Sequence, residues 1–328
     1  MSAPNAGTVT WRQRYQEALQ RLDSPQEARW IVEEAATGSW PGLLDEPVSV
    51  RAHGYFDQMV DRRAAGEPLQ YVLGRWPFRQ LDLLVDRRVL IPRPETEQVV
   101  EVALAELSLL ADAVGAAEAS AGSTAGPAAV GPTAVVVGPA EAVVRPAAAA
   151  GPTAPVVVDL GTGSGAIAMS LAAEGRPAAV WATDASADAI AIARANLVGL
   201  GGSRAAKVRL AAGSWWDALP PELRGRISLV VSNPPYVSTA EMAALPSVVA
   251  DWEPPLALHG GPDGLDAIET IVSGAPDWLA RPGTLVVELA PHQAAAAEAL
   301  AHGAGFDETR VEKDLAGRDR ALVARVRP

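Results

Sequence analysis

Apolar positions in the first part of the chain recur every three to four places, the spacing of a helix with one buried face. Trp11, Tyr15, Leu19 and Leu22 form one such stripe. Ser24, Pro25 and Glu27 fit the N-cap, first turn and capping-box partner of a second helix reaching about Glu34. Tyr55, Phe56, Met59, Val60 and Arg63 share one side of a third, and Gly66 is its natural stop. Residues 1–73 are therefore expected to form a small helical bundle.

The period shortens between Trp76 and Ile91. Phe78, Leu81, Leu83 and Val85 precede Asp86-Arg87-Arg88, and Val89-Leu90-Ile91 follow, which predicts a β-hairpin turning at 86–88. Pro92-Arg93-Pro94 closes the second strand. Glu95, Thr96 and Glu97 then open a helix whose Val99, Val100, Ala103, Leu104 and Leu107 can face a core. This hairpin and connecting helix make up residues 74–110. Residues 111–154 consist almost wholly of Ala, Gly, Pro, Val, Ser and Thr, with repeated Gly-Pro pairs and no aromatic residue. Such a stretch has little to bury and reads as a flexible insertion, with a cryptic strand at Val135-Val136-Val137 as the alternative.

Short β-branched runs alternate with helical patterns through residues 155–328: Val156 to Leu160, Ala179 to Asp184, Lys207 to Ala212, Ile227 to Ser232, Thr284 to Leu289 and Arg320 to Val326. That alternation predicts a mainly parallel sheet covered on both faces, with the ligand at the carboxyl ends of the strands. Two strand ends carry chemistry. The first runs Val158-Asp159-Leu160-Gly161-Thr162-Gly163-Ser164-Gly165-Ala166 into a helix from Ile167 to Ala173. Glycines there permit positive φ and let a ligand approach the backbone. Gly161, Gly163 and Ala166 also satisfy a dinucleotide-binding pattern, with Asp184 about where a ribose-binding acid belongs, so the loop alone leaves NAD and S-adenosylmethionine both open. Asp159 favours the second, because a carboxylate suits a cationic amino-acid end and repels a pyrophosphate. Its plainer reading is a capping residue.

The second strand end, Ser232-Asn233-Pro234-Pro235-Tyr236, is more specific. Two prolines fix φ and remove two backbone donors, leaving carbonyls as acceptors, and Asn233 adds a side-chain carbonyl. Tyr236 offers a flat apolar surface beside them. The set suits a planar NH2 group whose lone pair must be aimed at a methyl donor, a task in which alignment can supply ~7–11 kcal/mol at its upper range.

Charge and composition narrow the field further. The 27 Lys and Arg residues face 39 Asp and Glu, a net charge of -12, which opposes tight binding to a nucleic-acid backbone. Cysteine is absent, and His53, His259, His292 and His302 show no metal-ligand spacing, so no metal is expected. No run approaches the ~18 apolar residues of a membrane span and no secretory leader is evident, so the protein is expected to be soluble and cytoplasmic.

With these residues in view, the chain resembles the bacterial peptide chain release factor N5-glutamine methyltransferases. The resemblance rests on Gly66 to Gly74, Ile91 to Glu97, Asp159 to Ala168, Asn233 to Tyr236, Trp252-Glu253-Pro254 and Gly260 to Leu265, in that order. It implies a class I S-adenosylmethionine-dependent methyltransferase fold, Rossmann-like with a mainly parallel seven-stranded sheet, and a helical N-terminal domain that recognises the release factor. The implied substrate is the glutamine of that factor's Gly-Gly-Gln loop. Asn233 and the Pro234 carbonyl would hold its amide, Pro235 and Tyr236 would pack beside it, and a residue near Leu90 would line the pocket. Asp159, Gly161, Thr162, Gly163 and Gly165 would hold the methionine end of the cofactor, and Asp184 its ribose.

Ser214 stands where many relatives have an acid, so the implied polar contact to adenine has no matching residue. Trp215 either stacks on the base or is an ordinary core or surface tryptophan. The enzyme is expected to act as a monomer. Rival readings are a ribosomal-protein glutamine methyltransferase, an adenine-N6 methyltransferase, an NAD-dependent oxidoreductase and a catalytically silent cofactor-binding scaffold.

Overall fold

A computed structural model describes residues 9–121 and 154–328. Helices α1 (Trp11–Leu22), α2 (Pro25–Ala36), α3 (Val50–Ala64) and α4 (Leu69–Leu73) form the N-terminal bundle. The Ser24 hydroxyl accepts the Glu27 N–H at 3.3 Å, and Pro25 occupies the first turn, where its missing donor costs nothing. Trp11, Ile31, Phe56, Met59 and Val72 close the bundle's core.

The hairpin differs from expectation. Strands β1 (Arg75–Phe78) and β2 (Leu81–Leu84) pair antiparallel around a turn at Arg79-Gln80, and Val89-Leu90-Ile91 is a loop, not a strand. Arg79 takes a left-handed φ of 52°. Its conformation is held from outside the hairpin: its N–H meets Glu97 at 2.9 Å and its guanidinium meets Glu174 at 2.6 Å. A turn fixed by distant carboxylates needs none of the Gly or Asn residues that mark hairpins in a sequence.

Helix α5 (Pro94–Ala121) begins on the last residue of the Pro-Arg-Pro segment and runs to Ala121. The insertion read as starting at 111 therefore begins inside a helix. The rest of it, including Val135–Val137, lies outside the described residues.

The catalytic layer is a seven-stranded sheet in the order β5-β4-β3-β6-β7-β9-β8. Its members are β3 (Val156–Leu160), β4 (Ala179–Asp184), β5 (Val208–Ala212), β6 (Ile227–Ser232), β7 (Leu279–Glu288), β8 (Glu308–Lys313) and β9 (Asp319–Val326). All run the same way except β9, which is antiparallel to both neighbours. The strand β8 was not anticipated; its alternating, charged, half-exposed residues suit a sheet edge and lack an apolar run. Likewise, Pro282 obscured that β7 starts at Leu279 and not at Thr284.

Side chains alternate between two cores. Val157, Leu229 and Val231 face α5 and the helix α6 (Ala166–Glu174), whereas Val158, Leu160 and Val230 face the helices Asp266–Trp278 and Ala294–Gly303. Beneath α5, the buried carboxylate of Glu106 receives Arg310 at 2.8 Å and Arg325 at 2.7 Å, tying the helix to β8 and β9. Among the described residues no helix is long and apolar enough to cross a membrane.

Candidate active site

Strand β3 lies between β4 and β6, the point where the chain changes direction across a parallel sheet and a crevice opens at the strand ends. Register places Leu160 beside both Thr183 and Ser232, so Asp159, Asp184 and Asn233 converge from three adjacent strands. A cavity of about 410 Å³ opens there.

Its floor is the glycine turn. The N–H groups of Gly161 and Thr162 both donate to the Thr183 carbonyl, at 2.9 and 2.8 Å, and Gly161 and Gly163 have φ of 73° and 56°, which side-chain-bearing residues rarely adopt. Asp184 accepts the Gly163 N–H at 2.9 Å and the Ser186 N–H at 2.8 Å, so its carboxylate braces the turn while bordering the cavity. Asn196, from the helix α7 (Ala187–Leu200), donates to the carbonyls of Ser164 at 2.9 Å and Leu84 at 3.0 Å and thereby ties the turn to the hairpin.

Asp159 sits behind this floor and does not border the cavity. It is fully buried; its Oδ2 accepts the Thr162 hydroxyl at 2.6 Å and the Ala168 N–H at 3.0 Å, while Oδ1 has no partner among the described residues. Burial pushes its carboxyl up to about 7, opposed by the Thr162 and Ala168 hydrogen bonds. Gly165 also turns away from the cavity: a Cβ there would come within 2.5 Å of the Met169 methyl, so this glycine serves packing of α6.

Trp215 borders the cavity with a left-handed φ of 45°, a conformation a bulky residue adopts only under constraint. Its ring would lie 3.5 Å from a Cβ at Gly161. The adjacent Trp216 is instead structural, stacked on Trp278 at 5.8 Å.

Opposite the glycine turn stand Asn233 and Pro235, with Leu90 and Thr96 on the same cavity. Asn233 Nδ2 donates to the Thr96 hydroxyl at 3.1 Å, and among the described residues no donor meets Asn233 Oδ1 or the Pro234 carbonyl. Pro234 is buried and Tyr236 half-buried; neither side chain borders the cavity. The Tyr236 hydroxyl donates to the buried Glu288 at 3.2 Å, at the end of β7. Backbone glycines hold the loop from behind, because a Cβ on Gly260 would approach the Pro235 carbonyl to 2.5 Å. The Gln293 amide caps the Tyr236 carbonyl at 2.9 Å.

The loop 89–93 is pinned from two sides. Arg93 meets the buried Glu253 at 2.5 Å, and the Ile91 N–H reaches the same carboxylate at 3.4 Å. From the bundle, the Tyr71 hydroxyl donates to the Val89 carbonyl at 2.5 Å, one residue from Leu90. Thr96, Glu253 and Glu288 were not singled out from the sequence as site residues. Thr96 and Glu253 lie within signature segments and could have been; Glu288 carries no local signal.

These residues suit S-adenosylmethionine better than a dinucleotide. A pyrophosphate over this glycine turn would have the Asp159 carboxyl buried behind it, whereas a cationic amino-acid end is favoured by that carboxyl once ionised. Fold and pocket together define a methyltransferase. Residues 147–260 match the model of the methyltransferase small domain, and residues 10–74 match that of the PrmC N-terminal domain. The release factor glutamine methyltransferase of Moorella thermoacetica is 38% identical over 327 residues, covering 96% of this chain and 98% of that protein. The proteins of the same name from Bordetella pertussis and Cereibacter sphaeroides are each 37% identical, covering 90% and 86% of this chain and 92% and 83% of their own lengths. The chain belongs to the release factor glutamine methyltransferase family.

Proposed function

We propose that this enzyme methylates the side-chain amide nitrogen of the glutamine in the Gly-Gly-Gln loop of a peptide chain release factor, with S-adenosylmethionine as donor. The observation that carries this reading is the unfilled acceptor Asn233 Oδ1 on the cavity that the glycine turn floors, with the unfilled Pro234 carbonyl and Tyr236 following it in the chain.

S-adenosylmethionine, when bound, supplies an electrophilic methyl carbon on its sulfonium. Gly161, Thr162 and Gly163 would cradle its methionine end, with Asp159 supplying negative charge from behind the turn. Asp184 would take the ribose hydroxyls, and the indole of Trp215 would stack on the base in place of a polar adenine contact.

A carboxamide nitrogen is a poor nucleophile because its lone pair is delocalised into the carbonyl. Two acceptors in fixed positions, one on each N–H, set the plane of the amide and leave the lone pair pointing along the cavity. Pro234 and Pro235 make that setting rigid by fixing φ. Methylation leaves the nitrogen acidic, so one N–H proton passes from it to water without a strong base. The N-terminal bundle would contact the body of the release factor, and Tyr71 would transmit its position to the pocket wall at Leu90.

The test is mass spectrometry of purified release factor after incubation with the enzyme and isotopically labelled donor. The expected result is a single labelled methyl group on the glutamine of the Gly-Gly-Gln loop. Label on another residue, or none, would overturn the assignment.

A further inference from the structure

Two prolines stiffen the Asn233–Tyr236 loop without anchoring it. Proline fixes its own φ and pushes the residue before it into extended backbone, so Asn233, Pro234 and Pro235 move as one stiff piece. The first torsion left free is ψ of Pro235. A stiff piece held only where it leaves β6 would swing, and the unfilled Pro234 carbonyl would swing with it. A substrate amide needs that carbonyl to point one way.

The loop's own main chain supplies little anchorage. Pro234 and Pro235 have no N–H, and from Pro234 to Tyr236 the main chain makes a single hydrogen bond among the described residues: the Tyr236 carbonyl accepts from Gln293 Nε2 at 2.9 Å. Gln293 is 2% exposed and lies in the short turn Pro291–Gln293 that follows β7. Its Nε2 also reaches the Gly264 carbonyl at 3.1 Å and the Asp263 carbonyl at 3.4 Å. At the other end of the amide, Oε1 accepts the Ala290 N–H at 3.0 Å, which settles which end is the donor. One buried amide thus joins the Asn-Pro-Pro-Tyr loop to the loop 260–264, whose Gly260 and Gly261 line the cavity. Glycine at 264 makes the junction possible. Its φ is 79°, and a Cβ there would collide with the Tyr236 carbonyl oxygen and stand 2.5 Å from Gln293 Nε2. Five residues before Gln293, Glu288 accepts the Tyr236 hydroxyl at 3.2 Å, so the segment 288–293 grips Tyr236 by side chain and main chain together.

We infer that Gln293 is a positioning residue for amide methylation: it anchors the free end of the Asn-Pro-Pro-Tyr loop and so sets the direction in which the Pro234 carbonyl meets the substrate amide. The inference rests on the functional reading above. Gln293 itself does not border the cavity, so it acts only through the loop.

The test uses the full-length enzyme with two substitutions. Gln293→Glu keeps the length and the acceptor for Ala290 but puts an oxygen where the NH2 group stood. Gln293→Met keeps the length and loses both ends. Each is expected to lower kcat on a release factor by ~10–100-fold, counted per cofactor-binding site. KM for the release factor and calorimetric affinity for S-adenosylhomocysteine should each stay within ~3-fold of wild type, because alignment and not binding is lost. A contact that served folding alone would lower Tm and the yield of binding sites while leaving kcat per site unchanged.

A second readout needs no turnover. In crystals of either variant, the Pro234 carbonyl should turn from its wild-type direction. Wild-type kcat per site, a loss shared equally by cofactor affinity, or an unmoved Pro234 carbonyl would overturn the inference. Failure of both variants to bind the cofactor would overturn it too, since Gln293 would then serve the fold alone. If the wild type leaves release factor unmethylated while the carbonyl is displaced in the variants, the substrate assignment falls and the positioning stands.

Discussion

Burial holds the Asp159 carboxyl near 7, so in the free protein it takes up a proton as the pH falls below neutrality. A cationic ligand favours the ionised form, and binding such a ligand must therefore expel that proton. The sign follows: affinity for S-adenosylmethionine is weak below about 7 and rises as the group ionises, by ~10-fold between pH 6 and pH 8 for a single coupled proton. Calorimetry at the two pH values checks this, and Asp159→Asn should bind weakly at both. A pH-independent wild-type affinity would remove the charge role of Asp159. At Asn233 the expectation runs the other way. Asn233→Ala should slow turnover by ~10²–10³-fold with cofactor affinity nearly unchanged, since only substrate orientation is removed; steady-state kinetics beside calorimetry separates the two quantities. Asp159 and Asn233 stand out in the sequence because each lies in a distinctive local motif, the glycine turn and the Asn-Pro-Pro-Tyr run. Glu288 carries no such signal, because it meets Tyr236 across a separation of 52 residues.

The strands and helices were legible where each buries a full face. Strand β3 carries a continuous β-branched run and β6 a largely apolar one, which only a sheet covered on both sides can absorb. The hairpin turn and β8 escaped because tertiary partners, not local propensity, define them: Arg79 borrows Glu97 and Glu174, and β8 borrows β9. The loop 89–93 is the same kind of element. It has no regular structure, yet Tyr71 and Glu253 hold it from two sides. Tyr71→Phe leaves the Val89 carbonyl without its donor in a buried site and is expected to destabilise the fold by ~1–3 kcal/mol. Denaturant unfolding measures that loss. The same variant should raise KM for the release factor more than it lowers kcat, because the wall at Leu90 loosens while the Asn233 side is untouched.

The whole molecule joins an N-terminal helical bundle to a catalytic layer, and the change from helical to strand period near residue 74 marks that division in the sequence. The extent of the insertion could not be read as well, because an Ala-rich stretch is as good a helix as it is a linker. Its composition still predicts that residues 122–152 contribute no core. Replacing them with a short Gly-Ser linker should leave kcat/KM within ~2-fold, since shortening a loop changes its closure cost by only ~0.6 kcal/mol per halving. Circular dichroism and activity of the shortened chain check this together; loss of fold would make the segment structural.

Helix α5 starts within two residues of Thr96 and continues for 28 residues. At 1.5 Å per residue it is a rod about 40 Å long. Its far end at Ala121 is thus a spacer's length from the chemistry, which makes that junction a suitable place to splice a fluorescent reporter or an affinity handle and watch the enzyme engage its partner.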